Sequence, residues 1–379
     1  MNRNWFLGLL FFTFSCAPYK PFYHHNEKNW RDNGSGKDEA PEFTFYLIGD
    51  AGEPEKGDMS DVFKILSSDL KNADDDNSAV LFLGDNIYPH GLPDVGDKLR
   101  DDAEWRLKKQ FEIFNEYKGR VIFLPGNHDW KEGDPEGLKF NLNQEKFTEL
   151  FNHRGNIYLP DSACPGPVLI PTSQNSVLQV IDSQWWLHKY EKISSSTACE
   201  ATSDSLFIAQ LGKNFSNHKG KRMVVAAHHP MESNGPHGGK YPFRSHIFPL
   251  LEFHPDLWIP LPVLGSIYVL YRKIGNIQDI PHPRYKALQK RVEAILEEYP
   301  GSIYVNGHDH SLQYIRKGKS HYITSGAGTK HSHVVKNRKI SFGYAGTGYA
   351  VLKLFKSDAM IEFYRSNNGS KELIYRKLL

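Results

Sequence analysis

Leu83-Gly84-Asp85-Asn86-Ile87-Tyr88 ends an apolar run that starts at Ala79. A short apolar run cut off by Gly-Asp-Asn reads as a buried strand that delivers a carboxylate into a loop at its C-terminal end. Alone, Gly-Asp-Asn is a common turn. The arrangement recurs at Ile48-Gly49-Asp50, Leu124-Pro125-Gly126-Asn127-His128-Asp129, Ala227-His228-His229 and Asn306-Gly307-His308-Asp309-His310. Zinc, manganese and iron accept imidazole together with carboxylate. Asp50, Asp85, Asn127, His228, His308 and His310 therefore suit two ions, with Asp85 between them and one of its oxygens on each.

Working outward, Phe43 to Ile48 reads as a strand, and 60–71 as a helix capped by Ser60 with Val62, Phe63, Leu66 and Leu70 at helical spacing. The 94–117 stretch reads as a long helix and 120–124 as the next strand. This β-α-β-α-β rhythm predicts parallel strands joined by right-handed crossovers. Helices are expected at 140–151, 203–215 and 284–299, and strands at 168–170, 176–181, 223–227 and 302–305. From 312 onward the pattern alternates in β fashion through 312–315, 321–324, 349–355 and 360–364. No repeat or second core is visible, so 42–379 reads as one domain.

The N-terminus is different. Arg3, the apolar run Trp5 to Phe14 and then Ser15-Cys16 form an export signal over 1–15. The run is too short for an ordinary membrane span. Cys16 after Ser15 resembles a bacterial lipoprotein cleavage site, at which the cysteine takes lipid, although Thr13 stands where leucine is usual. Soluble secretion and an uncleaved anchor are the alternatives. Lipidation would place the chain in a bacterial cell envelope, held to the membrane through Cys16, with the polar stretch 16–41 as its tether. The remaining cysteines, Cys164 and Cys199, either pair in an oxidising compartment or are free thiols in unrelated loops. A formal net charge of +2 over 379 residues gives no reason to expect a nucleic-acid partner.

One segment, 247–283, stands apart. Its core, Leu257 to Tyr271, is apolar but interrupted by Pro260, Pro262 and Gly265. It reads either as an insertion packed on the domain or as an amphiphilic lid or surface touching a membrane or a protein.

Gly49-Asp50, Gly84-Asp85-Asn86, Gly126-Asn127-His128-Asp129, His228 and Gly307-His308-Asp309-His310 together resemble the five blocks of the calcineurin-like metallophosphoesterases. Tyr88, in Gly-Asp-Asn-x-Tyr, narrows the resemblance to the purple acid phosphatases, and 307–314 with 325–328 to their small, tartrate-resistant type. The resemblance covers 43–355, with 247–283 matching poorly. It implies an α/β fold: a four-layer α/β/β/α sandwich of two mixed sheets flanked by helices. It implies ferric iron on Asp50, Asp85, Tyr88 and His310, and a divalent ion (iron, zinc or manganese) on Asp85, Asn127, His228 and His308. His128 and His237 match the family's substrate histidines, one contacting phosphate, the other binding phosphate or protonating the leaving alkoxide. His229 has no family role and reads as a support for the ligands rather than a direct contact. The implied reaction is phosphomonoester hydrolysis by a metal-bound hydroxide. Phosphodiester or nucleotide hydrolysis on the same site is the alternative, and a non-catalytic surface binding lipoprotein is the rival from another class.

Overall fold

The strands that end at Asp50, Asp85 and Asn127 lie side by side in parallel, so their C-terminal ends open on one edge. The computed structural model describes residues 20–31, 39–151, 155–193, 199–254 and 256–379. The export signal and Cys16 lie outside them. In chain order the elements are β1 (Phe22–Tyr23), β2 (Phe43–Ile48), α1 (Asp61–Lys71), β3 (Ser78–Phe82), α2 (Arg100–Phe111), β4 (Arg120–Phe123) and α3 (Gly137–Glu149). Next come β5 (Val168–Pro171), β6 (Ser176–Val180), α4 (Ser183–Leu187), α5 (Asp204–Asn217), β7 (Arg222–Ala226), α6 (Phe243–Ile247), α7 (Pro262–Ile274) and α8 (Pro283–Glu298). The chain closes with β8 (Ile303–Asn306), β9 (Leu312–Lys317), β10 (Ser320–Ser325), β11 (Ile340–Tyr344), β12 (Tyr349–Leu354), β13 (Ala359–Asn367) and β14 (Ser370–Leu378).

Two mixed sheets result. One has the order β14-β13-β12-β2-β3-β4, the other β1-β11-β9-β10-β8-β7-β6-β5. Strand alternation explains their layering. Phe45, Leu47, Leu81 and Ile122 of the first sheet face Leu178, Val224, Val305 and Ile323 of the second, all buried. The opposite faces are covered by helices. Val80, Phe82 and Phe123 pack with Phe63 and Leu66 of α1 and Leu107 of α2, while Val225 and Tyr304 pack with Phe207 of α5 and Leu288 of α8. The layers are therefore α/β/β/α, as the resemblance implies. In the second sheet β6, β7 and β8 are parallel, so His228 and His308 emerge on the same edge as the ligands of the first.

Several expectations change. Residues 20–31, placed by sequence in the tether, belong to the fold: β1 pairs with β11, and Trp30 is buried beside Tyr375. Their aromatic side chains supply apolar area that a solvated tether does not need. The helix expected over 94–117 begins only at Arg100 and passes into a 3-10 turn at Glu112–Phe114. Strand β14 is not among the expected strands, because adjacent charges at Lys371-Glu372 and Arg376-Lys377 break its pattern; those charges pair with neighbours, as Arg376 does with Glu362 at 2.7 Å. In the 247–283 segment, Pro262 starts a helix instead of breaking one, sitting at its first position, where no amide hydrogen is needed. The segment also does not stand wholly apart: Gln278 and Asp279 at its end are buried in the site below.

Candidate metal centre

Asp50, Asp85 and His308 each leave their strand in the left-handed region, with φ of 56°, 55° and 69°. That turn is uncommon for residues other than glycine and swings the side chain back over the strand ends. The loops need close backbone approach as well. A methyl group on Gly84 would lie 2.5 Å from His228 Nδ1, and one on Gly126 2.2 Å from Asp85 Oδ1. Backbone amides then fix the carboxylates: His308 N–H donates to Asp50 Oδ2 at 2.8 Å, and His128 N–H to Asp85 Oδ1 at 2.9 Å. Behind them Asp129 clamps two loops, accepting from Gly126 N–H at 2.7 Å and Asn86 N–H at 3.0 Å. Burial, reinforced by Asp85, pushes the Asp129 carboxyl up to about 6.

Seven expected ligands form two clusters of donor atoms. In the first, Tyr88 Oη lies 3.0 Å from Asp50 Oδ1, 3.1 Å from Asp85 Oδ2 and 3.1 Å from His310 Nε2. In the second, His228 Nε2 lies 3.0 Å from Asn127 Oδ1, 3.3 Å from Asp85 Oδ1 and 3.1 Å from His308 Nδ1. Asp85 thus gives one oxygen to each cluster.

The hydrogen bonds around these atoms test whether a cation fits. His228 Nδ1 donates to the Leu83 carbonyl at 2.8 Å, so its Nε2 is the nitrogen turned into the cluster. His308 Nε2 donates to the Gln278 carbonyl at 2.8 Å, so its Nδ1 is turned inward too. Asn127 Oδ1, Asp85 Oδ1, His228 Nε2 and His308 Nδ1 thus converge in the second cluster, and in the first the Tyr88 hydroxyl is crowded by Asp50, Asp85 and His310. Two buried carboxylates crowded with further acceptors are costly unless positive charge joins them. Among the described residues no lysine or arginine bonds to Asp50 or Asp85. The electrostatics carry the same sign. Burial works against a charged His228, but Asp85 and Asp50 outweigh it and push the imidazole up to about 9. Burial raises the Asp85 carboxyl, yet His228 and His128 hold it well below the usual carboxylate range. Burial, then Asp50 and Asp85, keeps the Tyr88 phenol well above its ordinary value, so only a strong cation would draw off its proton. The residues present fit two metal ions.

Three further histidines sit around the clusters. His128 and His237 are partly exposed at the mouth. His128 Nδ1 bonds to the Pro89 carbonyl, and its Nε2 is 3.8 Å from Asp85. His237 Nδ1 donates to Asp279 Oδ1 at 2.8 Å, which leaves Nε2 for a substrate; its ring lies 3.8 Å from that of His308. His229 is close enough to His228 and His308 to share an ion with them. Both its nitrogens are already engaged, however, with Ser183 Oγ and Gln278 Oε1, each at 2.8 Å. It therefore braces the ligands. Burial, then His228, holds its imidazole well below the ordinary value, hence neutral.

Sequence reasoning missed Gln278, Asp279, Arg272 and Lys330. Arg272 bonds to Asp279 at 2.8 Å, and Lys330 lies over the Tyr88 ring at 3.7 Å. None belongs to a strand-end motif. Asp309 is inside one, and its carboxylate accepts from His237 N–H at 3.1 Å and from Ser233. Away from the site, Cys164 and Cys199 form a disulfide.

Residues 43–260, more than half of the chain, match the family model described as calcineurin-like phosphoesterase. Purple acid phosphatase 4 of Arabidopsis thaliana is 22% identical over 338 residues, 86% of this chain and 81% of that protein. Purple acid phosphatase 17 of the same plant is 34% identical over 101 residues, 24% of this chain and 28% of that protein. Among solved structures, GAP50, described as the anchor in the inner membrane complex of Plasmodium, matches with a TM-score of 0.54 at 18% identity, over 89% of this chain and 88% of that one. PhoD matches with a TM-score of 0.55 at 10% identity, over 91% and 70%. At such identities the structural likeness speaks for the fold. The chain belongs to the calcineurin-like phosphoesterase family.

Proposed function

We propose that the chain is a two-metal phosphomonoester hydrolase of acid phosphatase type. Ferric iron would be held by Asp50, Asp85, Tyr88 and His310, and divalent iron, zinc or manganese by Asp85, Asn127, His228 and His308. The observation that carries this reading is the pair of donor clusters joined through the two oxygens of Asp85. Bound there, the ions would supply charge for the phosphate oxygens and lower the pKa of water. The chain's own residues do the rest. His128 and His237 present Nε2 to a phosphate at the mouth, and His237, oriented by Asp279, can hand a proton to the leaving alkoxide. Gln278 and Leu83 fix which nitrogen of His308 and of His228 faces inward.

Metal analysis with a visible spectrum, followed by assay on mono- and diesters, tests the reading. A visible band from tyrosinate on ferric iron and preference for monoesters are expected. A colourless, active, two-zinc protein would remove iron and the Tyr88 assignment; diester preference would remove the ester class. Export with a lipid on Cys16 rests on the sequence of 1–16. A Cys16→Ser chain should lose fatty-acid labelling, and unchanged labelling would refute it.

A further inference from the structure

Helix α7 is built inside out. Val263, Leu264, Ile267, Leu270, Tyr271 and Ile274 recur at helical spacing, and each is more than half exposed. The opposite face packs on α6, with Gly265 so close that a methyl group there would lie 2.3 Å from the His246 carbonyl oxygen. The charged side chain that turns inward is Arg272, bonded to buried Asp279. On a helix facing water this distribution would be reversed. The loop before it adds Leu257, Trp258 and Ile259, and Phe253 is exposed as well.

We propose that this projection, 243–274, seats on an anionic lipid surface. Three features favour a bilayer. The exposed stripe is aliphatic apart from Tyr271, with few of the hydrogen-bonding groups that protein interfaces interleave with apolar ones. Trp258 and Tyr271 are the aromatic types that settle at the membrane–water boundary. The exposed charges of 240–275 are Lys240, Arg244 and Lys273 against Asp256, a positive excess that matches anionic headgroups. No helix among the described residues is long and apolar enough to cross a membrane, so α7 would lie along the surface. Its last turn leads, through Arg272 and Asp279, to His237. Seating would therefore bring the mouth of the site to the lipid boundary. The docking itself does not depend on what the site hydrolyses.

The N-terminus could bring the chain to a membrane without seating α7, so the probe must be local. In a full chain carrying Cys16→Ser and Leu270→Cys, an environment-sensitive dye attached at position 270 is read with vesicles of phosphatidylcholine, with and without phosphatidylglycerol. The expected result is a blue shift and quenching by brominated acyl chains, stronger on the anionic vesicles. Ile267→Glu should reduce partitioning by at least about tenfold and Lys273→Ala by about fivefold. Hydrolysis of a soluble ester by each variant checks that it is folded and does not bear on docking. A dye that stays in water while the protein floats with the vesicles would overturn the proposal. So would quenching indifferent to Ile267→Glu, or coverage of the stripe by another protein with no response to lipid.

Discussion

The metal centre and α7 break the same rule in opposite directions. At the centre, carboxylates and imidazoles are buried where a core would have apolar groups; on α7, leucine and isoleucine face outward where a surface would have charge. Each is unfavourable in the isolated chain. Each becomes favourable when something binds, a cation in one place and an apolar surface in the other. Departures from ordinary burial thus mark the two places where a bound ligand would offset an unfavourable exposure or burial.

The comparison can be broken most directly at Asp85. Asp85→Ala should lower phosphatase turnover by at least about 10²–10³-fold and reduce bound metal, because one side chain serves both clusters. Near-native turnover with a full metal load would end the two-metal reading. The next largest effect sets two leucines against each other. Leu81→Ala, in the core between the sheets, should cost about 2–5 kcal/mol in denaturant unfolding, whereas Leu270→Ala on α7 should stay within about 0.5 kcal/mol. A large loss at Leu270 would mean its side chain is covered in the free protein.

A buried polar group away from the centre sharpens the contrast. Burial pushes His321 down to about 4, helped by Arg316 and Arg222, while its Nδ1 bonds to Tyr314 Oη at 2.9 Å. The folded chain then binds fewer protons than the unfolded one between its ordinary pKa, about 6.5, and about 4. Its contribution is complete above that window and is lost as pH falls through it, by about 2–4 kcal/mol. His321→Asn should make the fall in unfolding free energy over this range shallower; an unchanged slope would remove His321 as its source. The smallest effect is expected at Asp279. Asp279→Asn should lower kcat by about tenfold on alkyl phosphates, which need a proton on the leaving group, and much less on a nitrophenyl ester. Equal loss on both would assign Asp279 a purely structural role.

Much of the centre was legible because each ligand ends an apolar run, and parallel strands gather their ends on one edge. Asp50, Asp85, Asn127, His228, His308 and His310 could be placed together for that reason alone. Tyr88 needed the resemblance to acquire a role, and its hydroxyl lies in the first cluster beside Asp50 and His310. What could not be read comes from long-range contact. Gln278 reaches His308 with a backbone carbonyl, which no side-chain pattern signals. Asp279 and Arg272 sit in the segment with the weakest family match. Strand β14 is hidden because its charges are neutralised by partners distant in sequence, Glu362 and Arg365 on β13 and Asp69 and Glu27 elsewhere, and residues 20–31 because three aromatic residues in a polar stretch give no period.

The bond from His308 N–H to Asp50 joins residues 258 positions apart. Asp50, Asp85 and Asn127 come early in the chain, and the histidines that join them in the two clusters come from 228 onward. Even the stretch that identifies the family stops at residue 260, short of Gln278, His308 and His310. Closing the contact between His308 and Asp50 draws the C-terminal third back onto the N-terminal strands, a long-range pairing of the kind that slows folding.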